Sequence, residues 1–118
     1  MVGFTSMEIQ HYEIAPEAIV VEIAGKVMMG SESEQITTLV SELLREGKRT
    51  IIFNIAEVTR IDSTGIGRFI SSYNQIAAAG GEMRIAGAPG FVFRAFQVCR
   101  LDMVFRFYPS LEEACKAG

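Results

Sequence analysis

The chain has 118 residues, of which 49% are apolar and 21% charged, and a formal net charge of −3. That balance suits one domain around one core and excludes a disordered chain. Its 11 Lys and Arg residues are scattered, with no basic stripe interleaved with aromatics. This excludes direct nucleic-acid binding, which needs clustered positive charge. No apolar run approaches the ~18 residues that a membrane helix requires.

Met1 to Gln10 lacks the basic-then-apolar pattern of an export signal. Met7 is an alternative start, which would make residues 1–6 a flexible extension and residues 7–118 the domain. Met7 to Ile14 and Ala18 to Ala24 read as two strands joined by a turn around Ala15, Pro16 and Glu17. The first alternates only weakly, as an edge strand does. The second is more apolar, through Ile19, Val20, Val21 and Ile23, and Gly25 is expected to break it. Met28 and Met29 follow in a loop-like stretch, either as core padding or as an adaptable contact for a partner or small ligand.

Ser31 to Glu46 carries the clearest helical period, with Ile36, Leu39, Val40, Leu43 and Leu44 on one stripe. Ser31 and Glu34 have capping-box spacing, and Gly47 is placed to end the helix. Thr50 to Ile55 is almost wholly apolar, as expected of a strand covered on both faces. Ile66, Phe69, Ile70, Tyr73 and Ile76 form a second helical stripe, closed by Gly80 and Gly81. Met83, Ile85 and Ala86 suggest a strand. Pro89 suits the first turn of a third helix, with Val92, Ala95, Phe96 and Cys99 on one face. Val104 to Tyr108 reads as a last strand, and Ser110 with Glu113 repeats the capping-box spacing before a terminal helix.

Alternating strands and helices imply parallel neighbours joined by crossovers. The expected fold is a single α/β domain. It has a mixed, mostly parallel sheet of about five strands, an N-terminal antiparallel hairpin and about four helices.

The chemistry concentrates at Asp62-Ser63-Thr64-Gly65-Ile66-Gly67, between a buried strand and a helix. Asp62, Ser63 and Thr64 are all good helix caps. A serine there also sits where unpaired N–H groups converge at the positive end of a helix dipole, which favours a phosphate. Gly65 and Gly67 remove side chains around it, opening close access at the cost of helix propensity.

Enzyme motifs are missing. Ile61 stands where GxSxG needs glycine, and the only histidine, His11, lies on an edge strand, so Ser63 has no base to activate it. GxGxxG is incomplete after Gly67, and Gly25-Lys26 and Gly47-Lys48 lack the earlier P-loop glycine. Asn54 and Ile55 replace the acidic group that a receiver domain would carry at the end of its central strand. No metal cluster or cofactor motif is visible. Cys99 and Cys115 show no CxxC or metal spacing and, without an export signal, read as free thiols of a cytoplasmic protein.

From about Met7 onward the chain resembles a STAS domain of the bacterial anti-sigma factor antagonist type. Ile51 to Gly67 carries the central match, with Asp62-Ser63-Thr64-Gly65-Ile66-Gly67 similar to the family's Asp-Ser-Ser/Thr-Gly-Leu-Gly. Gly80 to Ile85, Leu101 to Phe105 and Tyr108 to Ala114 extend it. The resemblance implies a non-enzymatic regulator that binds an anti-sigma factor serine kinase when unmodified. It releases that partner when phosphorylated, and a serine phosphatase resets it. By position the acceptor is Ser63. The implied partner surface comprises Gly25, Lys26, Val27, Met28 and Met29 with Asp62, Ser63, Thr64, Gly65, Ile66 and Gly67. Two acidic positions common in the family are replaced, by Asn54 and within Val27-Met28-Met29. Those departures leave room for a STAS module that binds a small ligand or serves a transport or signalling assembly.

Overall fold

The computed structural model describes residues 7–117; the suggested extension, residues 1–6, and Gly118 lie outside the described residues. Strands β1 (Met7–Ala15) and β2 (Ala18–Val27) form the hairpin. They are followed by α1 (Ser31–Arg45), β3 (Thr50–Ile61), α2 (Ser63–Ala78), β4 (Glu82–Ala86) and α3 (Gly90–Val98). A 3-10 turn (Leu101–Met103), β5 (Arg106–Tyr108) and α4 (Leu111–Lys116) complete the order. The five strands lie in sequence order; β1 pairs antiparallel with β2, and every other pair is parallel.

The period of two along the strands divides the side chains between two layers. Ile19, Val21, Ile51, Phe53 and Ile85 face a main core closed by Ile36, Val40 and Leu43 of α1, Phe69 and Ile76 of α2, and Val92 and Phe96 of α3. Phe69 meets Phe53 and Phe96 edge-on, with centroids at 5.3 and 5.5 Å. Such pairs add about 0.5–1.5 kcal/mol beyond their burial. On the opposite face Val20, Ile52 and Ala86 pack under α4 through Ala114.

Several local expectations are corrected. Gly25 does not end β2; at φ 89° it sits at an irregular step in the β2–β3 register, and the strand continues through Lys26 and Val27. A glycine in this conformation makes a bulge without ending the ladder. The β3 strand runs past Ile55 to Ile61, so Asn54 is mid-strand. Beyond Asn54 only β2 pairs with it, and exposed Glu57 and Arg60 there hid the strand from a hydrophobic reading.

The α1 helix is capped by Gly30 at φ 130°, with no side-chain cap, so the Ser31–Glu34 box does not form. Ile70 is exposed and leaves the α2 stripe, while Ser72 is buried in its place. Pro89 is the N-cap of α3 and not its first residue, and Cys99 is exposed at the far end. Val104 is 48% exposed because the chain first makes the 3-10 turn. At α4, Ser110 does accept the Glu113 N–H, as its spacing predicts.

Candidate functional site

Asp62 decides where α2 begins. Its backbone is extended, its Oδ1 accepts the Gly65 N–H at 2.8 Å, and its carbonyl accepts the Ile66 N–H at 2.9 Å. Its Oδ2 accepts the Met29 N–H at 2.9 Å, across 33 residues of chain. One carboxylate therefore caps α2 and ties down the loop between β2 and α1. These bonds hold its carboxyl below the ordinary 3.8, the Gly65 N–H first, against partial burial, with the Met29 N–H adding to it.

The same loop is held from its other side. Arg68 donates from Nη2 to the Gly30 carbonyl at 3.3 Å and from Nε to Ser33 Oγ at 2.9 Å. Ser33 is buried and donates to the Gly30 carbonyl at 3.2 Å. The first turns of α2 thus grip Met29 by its N–H and Gly30 by its C=O. Contacts from another element hold the start of α1 in place of a side-chain cap.

Ser63 is the first helical residue of α2 and is exposed. Its hydroxyl makes no hydrogen bond to any described residue. Among the described residues no histidine or lysine is bonded to it to raise its nucleophilicity. The amides of the helix's first turn leave this end electropositive, while Asp62 alongside is ionised.

The remaining residues of the expected surface divide sharply. Lys26 and Met29 are exposed, Met29 at 79%, and Gly25, Met28, Asp62, Thr64 and Gly67 are partly exposed. Met29 is therefore not core padding. Val27, Gly65 and Ile66 are buried, so they shape this surface from beneath and do not present side chains to a partner. Gly65 is a packing glycine: a Cβ there would lie 2.0 Å from the Val27 carbonyl oxygen. Of the two glycines, Gly67 has open space around it and fits the expectation of cleared access, while Gly65 does not.

Beside Ser63, Lys26, Met28, Met29, Ser31, Glu32 and Asp62 line an open groove of about 500 Å³. Among the described residues no group of His, Cys, Asp or Glu is arranged to hold a metal ion, and no helix is long and apolar enough to cross a membrane. Asn54 donates to Glu22 at 3.3 Å and accepts the Ala56 N–H at 3.2 Å, within the sheet and not at the groove. Sequence reasoning missed Arg68 and Ser33. Their partners are distant in the chain, and a lone arginine inside a helix carries no local signal.

A five-stranded mixed sheet carries three helices on one face, and an Asp-capped helix with an adjoining loop stands at the end of β2 and β3. The chain belongs to the STAS domain family, whose pattern spans residues 10–114.

Solved structures agree on the fold. The Bacillus cell fate determinant SpoIIAA, an anti-sigma factor antagonist, superposes in its phosphorylated form with TM-score 0.72 at 22% identity. That match covers 92% of this chain and 96% of the other. An anti-sigma factor antagonist from Mycobacterium paratuberculosis gives 0.78 at 15% identity over 93% and 92% of the two chains. A sulfate transporter family protein from Wolinella succinogenes gives 0.72 at 16% identity over 80% and 79%. The chain is thus a STAS domain similar in fold both to anti-sigma factor antagonists and to a transporter-family relative.

Proposed function

We propose that this STAS domain is a cytoplasmic anti-anti-sigma factor that works by partner switching, with Ser63 as the phosphoacceptor. Unmodified, it binds an anti-sigma factor serine kinase; phosphorylated, it releases it; a serine phosphatase restores the first state. The observation that carries this reading is the Ser63 hydroxyl, exposed at the start of α2 and bonded to no described residue. A phosphate there gains from the helix end within the domain. In a docked interface the same added charge, close to ~−2, is desolvated and stands beside ionised Asp62. A mismatch of a few times ~1.4 kcal/mol shifts affinity tenfold per step, enough for a switch.

The docking surface in this reading is Lys26, Met28 and Met29 with Asp62, Ser63, Thr64 and Gly67, shaped by Gly25, Val27, Gly65 and Ile66. The test is incubation with the cognate kinase and ATP, followed by mass spectrometry of the product. One phosphate on wild type and none on Ser63→Ala is expected. Equal phosphate on both would refute the assignment.

A second reading has a specific observation in its favour. The groove beside Met28 and Met29 measures about 500 Å³, and Met29 is 79% exposed. That volume suits a small ligand, in a module that serves a transport or signalling assembly without phosphorylation. A ligand that raises the melting temperature of wild type but not of Met29→Glu would favour it. Robust phosphorylation with no ligand response would eliminate it.

A further inference from the structure

A second concavity, of about 500 Å³, lies at the other end of α2, where the chain passes from Gly80 and Gly81 into β4. It is ~24 Å from Ser63 along the axis, taking 16 residues at ~1.5 Å each. One wall is apolar, from the Tyr73 ring and half-exposed Val104, while buried Ile76 offers almost no surface and most of the lining is polar. Tyr73 is held against Phe105 with centroids at 5.3 Å, so that wall is fixed by core packing.

The charge of the pocket is unbalanced. Arg49, Arg106 and Glu82 line it. The Glu82 carboxylate already accepts from buried Arg84 at 2.9 Å and from Arg106 at 3.1 Å. Those contacts, the Arg84 hydrogen bond first, hold its carboxyl below the ordinary 4.5; both fall on Oε2, so two guanidinium groups share one carboxylate. Arg49 has no carboxylate partner among the described residues. Its Nη1 donates to the carbonyls of Leu44 at 3.1 Å and Lys48 at 2.7 Å, which clamps the guanidinium in place. Its other two nitrogens, and the half-buried Tyr73 hydroxyl, bond no described residue.

A clamped guanidinium with free donors matches the two-pronged geometry of a phosphate or carboxylate. The neighbouring apolar wall suits a ring or short chain carrying that anion, and the volume lies in the range of small-molecule sites. We propose that this pocket is a second binding site, for a small organic anion whose charged group meets Arg49 and whose apolar body lies against Tyr73 and Val104. It is separate from the Ser63 end and does not depend on the switching role.

The test is a titration of the 15N-labelled full chain with phenyl phosphate, benzoate and inorganic phosphate, followed by amide shifts. Phenyl phosphate or benzoate is expected to shift Thr50, Gly81 and Glu82 saturably, the tighter of the two naming the anion. Arg49→Gln is expected to weaken binding at least about tenfold. Because Arg49 also holds two carbonyls, Val104→Glu is the second variant. It places a carboxylate on an exposed rim position, leaves Arg49's bonds intact, and is expected to abolish binding with an unchanged melting temperature. Absence of saturable shifts with both organic anions, or undiminished binding in Val104→Glu, overturns the proposal. So does inorganic phosphate binding as tightly as phenyl phosphate, since the apolar wall would then contribute nothing.

Discussion

At the scale of single residues, adjacent side chains in the central motif have opposite duties. Asp62 uses both oxygens structurally, while Ser63 uses its hydroxyl for nothing in the fold. Asp62→Ala should therefore destabilise the domain by about 1–2 kcal/mol through loss of the cap. It should also speed hydrogen exchange at the Met29 amide; exchange at the wild-type rate would mean that the carboxylate does not restrain the loop. Ser63→Asp should leave the melt within about 0.5 kcal/mol of wild type, as an exposed position does. On the switching reading it should also weaken kinase affinity at least about tenfold. Unaltered affinity, measured by calorimetry, would count against the switch. The sequence offered Asp62, Ser63 and Thr64 alike as caps, so the start of α2 was legible and the choice of Asp62 was not. Nor was the bond from Met29, because 33 residues separate its ends.

At the scale of elements, the first turn of α2 lies directly on the end of β2, and glycine makes this possible. In Gly65→Ala the new methyl would meet the backbone oxygen of Val27 at 2.0 Å, a neighbour that cannot rotate away. The expected cost is about 2–3 kcal/mol or more, while Gly67→Ala, in open space, should be neutral or stabilising. Equal melting temperatures for the two variants would refute this division of roles. On the opposite face α4 is tied to the sheet by Arg84, whose Nη1 donates to the Ala114 carbonyl at 2.8 Å. Arg84→Gln should cost about 2–3 kcal/mol, since it removes a charged donor from a buried acceptor. Loss of the far-ultraviolet signal of α4 below the global melting temperature would locate the damage there. The helices and the β2–β4 cores were legible from their periods. The last six residues of β3, 56–61, were not, because a strand paired on one side carries polar residues freely.

At the scale of the whole molecule, two carboxyls link stability to acid. Asp62 and Glu82 are both held below their ordinary values of 3.8 and 4.5, the first mainly by the Gly65 N–H and the second mainly by Arg84. A group depressed in the folded state binds its proton more readily when unfolded. The stability it contributes is complete above its ordinary value and is lost as pH falls through the folded value. The melting temperature should therefore drop on acidification below those values, and Asp62→Asn with Glu82→Gln should flatten the curve. An identical pH profile for the double variant would show that other groups carry the acid sensitivity. By itself the sequence determined the α/β class, the strand and helix order, the two-faced sheet and the position of the central motif. These follow from periodicity and local caps, which act over a few residues. Only the tertiary structure decided that Val27 and Gly65 are buried, that Gly30 caps α1, and that Arg49 stands clamped with no carboxylate partner among the described residues. Each depends on which distant backbone atoms come within bonding or clashing distance, and neighbours along the chain carry no record of that.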